Sequence, residues 1–179
     1  MAAIGAPTQS LDVPWNLKSV LFDGSDDTFE ADSSINLTDG TGMVISMWLK
    51  VASGNPWASY VIYPSSSLYV RIEGGALKWY AISGFSVAVS YTADTWQHWV
   101  WQIMPTSHSP SADTFIYRNG VEVAHGDATS PNSGADNFQI AARDTGGYSE
   151  ILVDELAIWH GTTLSAAEAL EIYNAGQPF

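Results

Sequence analysis

Apolar and polar residues alternate along most of this chain with a period of two, the pattern of β-strands that face a core on one side. The run MVISMWLKV, residues 43–51, has an apolar residue at every second position, and SLYVRIE, residues 67–73, sets three apolar residues against Tyr69, Arg71 and Glu73. Similar runs follow in ALKWYAIS, FSVAVSY, WQHWVWQIM, DNFQIAA and YSEILVDELAIW, each bounded by Gly, Pro, Ser or Asp. About ten or more short strands predict an all-β fold, an antiparallel two-sheet jelly-roll sandwich.

Two local motifs add a hairpin and one short helix to this prediction. FIYRNGVEVA is typical of a hairpin, because Asn119 and Gly120 supply the two positive-φ positions of a tight turn between strand-like residues. Ser165 with Glu168 three residues later is a capping box, and Gly176 stands where a helix C-cap belongs. A short C-terminal helix is therefore predicted, with an apolar face that docks on the sandwich.

The first 17 residues differ from the rest and are interpreted as an N-terminal arm, which leaves residues 18–179 as the jelly-roll domain. Pro14 interrupts the alternation there and restricts the segment to a sheet edge. The arm also carries more apolar residues than a solvated tail would. These docking residues are Ile4, Leu11, Val13 and Trp15. We expect residues 11–17 to pack on the domain's own edge and residues 1–10 to meet a partner by strand addition.

Charge and composition exclude several classes of protein. Nineteen acidic residues against six basic ones give a formal net charge of −13. A nucleic-acid partner is not expected, because phosphate neutralisation needs clustered Lys and Arg. The chain has no cysteine, which removes disulfide and thiolate chemistry. No apolar run approaches the ~18 residues of a membrane span, and the N-terminal residues do not have the pattern of a secretory signal.

Five groups of residues follow one another in a recognisable order: LFDGSDD, ISMW, WQHW, YRNG, and VDELAIW with LSAAE. Together they resemble the concanavalin A-like, laminin-G-type jelly-roll domains of bacterial and phage proteins, over residues 19–176. The matching residues are Phe22, Asp23, Gly24, Asp26, Asp27, Ile45, Ser46, Trp48, Trp96, His98, Tyr117, Asn119, Gly120, Asp154, Glu155, Ile158, Trp159, Leu164, Ser165 and Glu168. The resemblance implies two sheets, one concave, that bind sugars, proteins or virion components, and most such domains are not enzymes.

Asp154 and Glu155 stand in the middle of the apolar run ILVDELAIWH. Alternation puts Asp154 on one face with Leu152 and Leu156, which is the predicted core face, and a buried carboxylate must be paired, hydrogen-bonded or bound to metal. One hypothesis is a single structural Ca²⁺ held by Asp154 and Asp23 at the FDGSDD turn, where related jelly rolls hold calcium by resemblance. The alternative is that Asp154 accepts backbone N–H bonds from this turn without a metal.

No catalytic residue is assigned. Jelly-roll glycosidases place three acids on one face of a strand, as paired acid and nucleophile chemistry requires. Here Glu150 and Asp154 are separated by Leu152 on their shared face, and Glu155 faces the other way.

The eight tryptophans of this chain suggest a binding surface. Sugar sites stack pyranose rings on exposed aromatic faces. The candidates for a carbohydrate or partner surface are Trp57, Trp79, Trp99 and Trp101. The alternative is that these side chains fill the core or pack against strands, and a surface for protein partners fits exposed aromatics equally well.

Two functional classes remain at this point. The first is a non-catalytic phage virion component, such as a capsid decoration or head-fibre protein, made in the host cytoplasm without a signal peptide and bound to other virion subunits. The second is an extracellular carbohydrate-binding lectin or adhesin module. The two can coexist, since a decoration protein can display a glycan-binding face, and homo-oligomers are compatible with both.

Overall fold

Fourteen β-strands and one helix form in the part of the chain that the computed structural model describes, which is residues 2–4, 7–12, 18–32, 42–55, 59–65, 68–81, 85–104, 112–128, 137–143 and 146–175. The strands are β1 (Ala2–Ile4), β2 (Thr8–Ser10), β3 (Ser19–Asp23), β4 (Thr28–Glu30), β5 (Met43–Val51), β6 (Ser59–Ser65), β7 (Leu68–Glu73), β8 (Ala76–Ala81), β9 (Phe85–Ser90), β10 (Gln97–Ile103), β11 (Ala112–Arg118), β12 (Val121–Ala128), β13 (Gln139–Ile140) and β14 (Glu150–His160). The helix α1 is Ala166–Ala175.

These strands form two antiparallel sheets. The first sheet has the order β1-β4-β13-β6-β7-β8-β9, and the second has the order β12-β11-β10-β5-β14-β3-β2. One apolar core, to which both sheets contribute, lies between them. The predicted jelly-roll sandwich with one short C-terminal helix is confirmed.

Tryptophans fill the centre of this core. Trp79 comes from the first sheet, while Trp99 and Trp101 come from the second, and none is more than 1% exposed. Their rings stack, with centroids 5.7 Å apart for Trp99 and Trp101 and 6.4 Å apart for Trp79 and Trp101. Large aromatic side chains dominate the energetics of a core because each buries roughly 150–250 Å².

The helix α1 covers the centre of the outer face of the second sheet. Ala169 of the helix is buried with Val44, Val100 and Tyr117 of three neighbouring strands. Strand β5 is therefore buried on both faces along most of its length, and not half-buried as its alternating sequence suggested. Alternation within a strand shows which of its residues are polar, but not whether another element covers its second face. Here that element is α1, which begins more than a hundred residues after β5.

The predicted hairpin and helix cap are both present. Asn119 and Gly120 have φ values of 52° and 74° and connect β11 to β12. The Ser165 amide and hydroxyl donate to Glu168 Oε2, each at 2.7 Å, and the Glu168 amide donates to Ser165 Oγ at 3.3 Å. Ser165 and Glu168 thus satisfy N-terminal groups of the helix reciprocally.

The N-terminal arm belongs to the two sheets in its described residues. Ile4 pairs with Thr28 in the first sheet, and Thr8 pairs with Leu21 in the second, so the segment caps one edge of each. The expected contact of residues 1–10 with a partner stays a prediction, while residues 2–4 and 8–10 pair with the domain's own strands. Leu11 is 84% exposed. Val13 and Trp15 lie outside the described residues.

A β-bulge explains the two acids in the last strand. Asp154 pairs with Trp48 and Ala157 with Ser46, so β14 has one residue more than β5 between these pairs. Glu155 takes the left-handed conformation, with φ of 49°. Because of the extra residue, Val153 before the bulge and Leu156 after it both face the core. The expectation that Asp154 shares a face with Leu156 was wrong for this reason.

Candidate functional site

The two sheets differ in what their outer faces present. The helix covers the second sheet, whereas the outer face of the first sheet carries tyrosines and charged side chains on strands β6, β7 and β8. The alternating sequence of β7 produces this arrangement: its apolar residues point into the core and are buried, and its Tyr, Arg and Glu residues point outward and are partly exposed. We call this surface the tyrosine face, and its members are Tyr60, Tyr63, Tyr69, Tyr80, Arg71, Glu73, Lys78 and Arg143.

Strand register arranges these side chains in two rows. Tyr60 pairs with Arg71, and Arg71 pairs with Lys78, which makes a row across three strands that carries two cations. Tyr69 pairs with Tyr80 in the next outward position of β7 and β8. Directly opposed residues on one face of a sheet have Cβ atoms about 4.5–5.5 Å apart, so their side chains interact.

The tyrosine rings form a continuous series. The Tyr69 and Tyr80 rings stack with centroids 4.6 Å apart, and the centroids of Tyr63 and Tyr69 are 6.1 Å apart. Tyr60 meets both Tyr63 and Tyr69 edge-on, at 5.7 and 5.5 Å. The rings pack against one another, and Tyr63 is only 1% exposed. Tyr60 is 9% exposed, so the rings of the series that a ligand can reach are those of the half-buried Tyr69 and Tyr80.

Cations lie over these rings. The guanidinium carbon of Arg71 and the Nζ of Lys78 lie 4.9 and 4.8 Å from the centroid of Tyr80. At the other end, Arg143 lies 5.1 Å from the centroid of Tyr63 and 5.8 Å from that of Tyr60. Cation–π contacts of this kind position a charge without neutralising it.

Glu73 connects the charged groups through hydrogen bonds. Its Oε2 accepts from Arg71 Nη2 at 2.6 Å and from the Tyr80 hydroxyl at 2.7 Å, and its Oε1 lies 3.7 Å from Lys78 Nζ. The hydrogen bond from Tyr80, together with that from Arg71, lowers the pKa of Glu73. The hydrogen bond with Tyr80 raises the pKa of Lys78, and burial raises the pKa of Tyr69. At neutral pH Glu73 is therefore ionised and Lys78 is protonated.

The predicted tryptophan surface does not exist in the described structure. Trp79, Trp99 and Trp101 are in the core between the sheets, because they occupy the inward positions of their strands and bury the largest apolar areas there. Trp57 lies outside the described residues. The alternation in SLYVRIE and ALKWYAIS already marked Tyr69, Arg71 and Tyr80 as outward residues, but only the strand register shows that they meet.

The predicted metal residues are separated. Asp23 pairs with Glu150, four residues from Asp154 on β14, which is about 13 Å along a strand. Asp154 Oδ1 accepts the amide of Glu155 at 2.8 Å, while Oδ2 is buried and has no hydrogen-bond partner among the described residues. Asp154 therefore belongs to the bulge and not to the FDGSDD turn.

Three other acids meet at that turn. Carboxylate oxygens of Asp23, Asp26 and Asp27 lie within 4.8 Å of one another. Asp27 is 4% exposed, and its Oδ2 accepts the amide of Asp23 at 3.1 Å. Oxygen ligands of this type suit Ca²⁺, so the donor chemistry fits this ion with Asp26 and Asp27 in place of Asp154.

A cavity of about 140 Å³ opens between the sheets beside the bulge. Its lining is mostly apolar, and Asp154, Glu155 and Lys18 lie at its polar part. The apolar lining residues are Val20, Phe22, Phe29, Ile140, Val153 and Leu156.

The two antiparallel seven-stranded sheets packed around one core define the class of concanavalin A-like jelly-roll sandwiches. The chain belongs to the laminin-G-type family that is described as the concanavalin A-like lectin/glucanases superfamily, whose model matches residues 23–169. A comparison with curated proteins gives no match. None of the helices in the described residues is long and apolar enough to cross a membrane.

Solved structures with the same fold include binding domains of toxins. The binding domain of Paraclostridial Mosquitocidal Protein 1 superposes with a TM-score of 0.75 at 14% identity, over 96% of this chain and 47% of that one. The receptor binding domain of botulinum neurotoxin C/D mosaic serotype gives 0.74 at 11% identity, over 97% and 46%. This chain thus spans about half of each toxin domain.

One similar structure contains a sugar. Domain 4 of AbnA, a GH43 extracellular arabinanase from Geobacillus stearothermophilus, was solved in complex with arabinotriose. It matches with a TM-score of 0.67 at 14% identity, over 94% of this chain and 82% of that chain.

Proposed function

We propose that this protein is a non-catalytic carbohydrate-binding module and that the tyrosine face of the first sheet is its binding surface. The observation that carries this proposal is the contrast between the two outer faces: α1 closes one, and the other presents phenol hydroxyls, guanidinium, ammonium and carboxylate groups on a rigid sheet. Such groups can exchange hydrogen bonds with sugar hydroxyls. The likeness to a domain solved with arabinotriose supports a sugar over a protein ligand.

A glycan array followed by calorimetric titration of the best hit tests this proposal. Tyr69→Ala and Tyr80→Ala should each weaken binding about tenfold or more, since truncating a hot-spot aromatic costs about 2 kcal/mol or more and about 1.4 kcal/mol corresponds to tenfold. Tyr91→Ala is the matched control, because Tyr91 is half-buried and packs against the core instead. Equal loss in the control, or no hit on the array, would contradict the proposal.

A virion role stays a prediction, but the arm that suggested it pairs with its own sheets, and the similar structures are toxin and arabinanase domains. The arm, which was expected to add to a neighbouring subunit, forms strands β1 and β2 at the edges of the domain's own sheets. We therefore place the sugar-binding role first.

We also propose one structural Ca²⁺ at Asp23, Asp26 and Asp27. Ca²⁺ at a hundredfold excess over its Kd should stabilise the folded state by about 2.7 kcal/mol relative to chelator. Asp26→Asn should remove this calcium-dependent stabilisation, because it replaces one carboxylate ligand with a neutral amide. The substitution should leave the fold intact, because Asp26 is exposed and the hydrogen bond from the Asp23 amide to Asp27 does not involve it.

Asp154→Asn is the matched control for the calcium site, since it makes the same charge change at the β-bulge of β14, away from the three aspartates. It should leave the calcium-dependent shift in melting temperature intact. A shift that disappears in Asp154→Asn and persists in Asp26→Asn would overturn the assignment.

A further inference from the structure

The cavity beside the bulge shares no lining residue with the tyrosine face, and its volume is about 140 Å³. Both sheets form its walls: Phe29 of β4 and Ile140 of β13 line one side, and residues of β3 and β14 line the other. Phe22 and Ile140 are fully buried, so the cavity reaches the core. Protein cores are close-packed and contain few voids larger than a water molecule. A cavity of this size is therefore an exception within the sandwich and a candidate for a ligand site.

The β-bulge of β14 shapes one wall of this cavity. Val153 before the bulge and Leu156 after it both face the core, and both line the cavity. Between them, Glu155 has a left-handed backbone with φ of 49°, and strained residues of this kind cluster at ligand sites. Phe22 of the second sheet and Phe29 of the first meet edge-on, with ring centroids 5.2 Å apart. Contacts within the fold therefore fix the walls before any ligand binds.

The lining of the cavity favours an uncharged apolar ligand. Most of the lining consists of aliphatic and aromatic side chains, and its charged residues are Lys18, Asp154 and Glu155 at the polar part. Because that part holds charges of both signs, it attracts neither a cation nor an anion strongly. A charged group that entered the apolar part would lose its hydration without gaining a partner there.

The size of the cavity indicates a single ring. A cavity of ~150 Å³ lined by Leu, Ile and Phe stays dry in another protein and binds benzene. The cavity of this protein, at about 140 Å³, has nearly the same volume and the same kind of lining. A benzene-sized ring therefore fits between the two sheets.

We infer that this cavity binds a small uncharged ligand with one aromatic or aliphatic ring. The inference is independent of the proposed sugar-binding function, because it uses no residue of the tyrosine face. A ring in the cavity would contact Phe29 and Ile140 of the first sheet and Val20 and Leu156 of the second. Because it would bind only where the two sheets are packed together, it should stabilise the folded state.

The test uses toluene, benzylamine and benzoate, which carry the same ring with no charge, a positive charge and a negative charge. Toluene should raise the melting temperature of the wild-type protein, since it binds the folded state alone. In calorimetric titration toluene should bind about tenfold or more tightly than either charged compound, because their charged groups resist transfer from water. No rise in melting temperature with toluene, or tighter binding of benzylamine or benzoate, would overturn the inference.

Val20→Phe locates the ligand, because the larger side chain fills the cavity from β3 and should remove the effect of toluene. Leu156→Phe fills it from β14 and should give the same loss, so the test does not depend on the folding of one variant. Val89→Phe is the matched control: Val89 is also partly buried against the core, but on β9, with β6, β7 and β8 between it and β13. It should keep the effect of toluene.

The variants can also overturn the inference. If Val20→Phe and Leu156→Phe both bind toluene as the wild type does, the ring lies elsewhere. If Val89→Phe loses the effect of toluene as fully as they do, the loss reflects a general disturbance of the core and not a filled cavity.

Discussion

His98 is a buried histidine whose environment favours the neutral form. It lies on β10, with its ring centroid 5.3 Å from that of Trp48 and 6.0 Å from that of Tyr173 of α1. Its Nε2 lies 2.9 Å from Ser46 Oγ, and its Nδ1 is buried without a hydrogen-bond partner. Burial lowers the pKa of His98 to about 4. The residue thus acts as a core side chain beneath the helix, and not as a ligand for metal.

This depressed pKa predicts acid lability. Above pH 6.5 the imidazole is mostly neutral in both the folded and the unfolded state, so it does not affect the free energy of unfolding. As the pH falls from 6.5 towards 4, His98 binds a proton in the unfolded state but stays mostly neutral in the folded state. The free energy of unfolding should therefore drop by about 3 kcal/mol across this window. Denaturant unfolding at several pH values measures this, and His98→Gln should show a smaller drop.

His125 offers the control for this experiment, because it is exposed on β12 and its Nδ1 lies 2.8 Å from Glu122 Oε1. The drop in stability between pH 6.5 and 4 should be reduced more by His98→Gln than by His125→Gln. A His98→Gln protein whose stability falls with acid as steeply as wild type would show that other groups cause the lability.

The helix and the β11–β12 hairpin are elements that depend on each other. Gly120 has φ of 74° and lies under α1, where an added Cβ would come within 2.7 Å of Leu170 Cδ1 and 3.1 Å of Leu170 Cα. The turn also ties into β10: the His98 amide donates to Asn119 Oδ1, and the Asn119 amide donates to the His98 carbonyl. Glycine is needed at position 120 both for its conformation and for the approach of the helix.

Gly120→Ala should therefore lower the free energy of unfolding by about 2–4 kcal/mol, through backbone strain and through overpacking against the helix. Gly75→Ala is the matched control, because Gly75 has φ of 78° and nothing within 4 Å of its added Cβ. It should cost only the backbone strain, about 1–2 kcal/mol. Equal losses in the two variants would mean that the contact between helix and hairpin contributes nothing.

Sequence patterns predicted the elements of this protein better than their contacts. Alternation, the Asn119-Gly120 turn and the capping box depend on local backbone preferences, so they identified the strands, the hairpin and the helix. The bulge at Asp154 changes which face each later residue occupies, and nothing in an apolar run reveals an inserted residue. The tyrosine face was missed because it requires the pairing of β6, β7 and β8, and Trp79 and Trp101 looked like better binding residues until the core enclosed them.

In the whole molecule, the residues that stabilise the fold and the residues proposed to bind a ligand lie in different places. Tryptophans and aliphatic side chains fill the space between the sheets, the helix closes one outer face, and the edge strands β1 and β2 cover one border of each sheet. The half-buried side chains of Tyr69, Arg71, Lys78 and Tyr80 remain on the outer face of the first sheet. Preorganised polar groups on a sheet lose little conformational freedom when they bind, which favours affinity.

Chemical-shift mapping of the amide resonances during titration with the best-binding glycan tests this account most directly. We predict that the largest changes fall on Tyr60, Tyr69, Arg71 and Tyr80, with the Asp23–Asp27 turn and the cavity beside the bulge unaffected. Changes confined to the residues that line that cavity, such as Val20 and Leu156, would contradict the claim that the outer face of the first sheet is the binding surface.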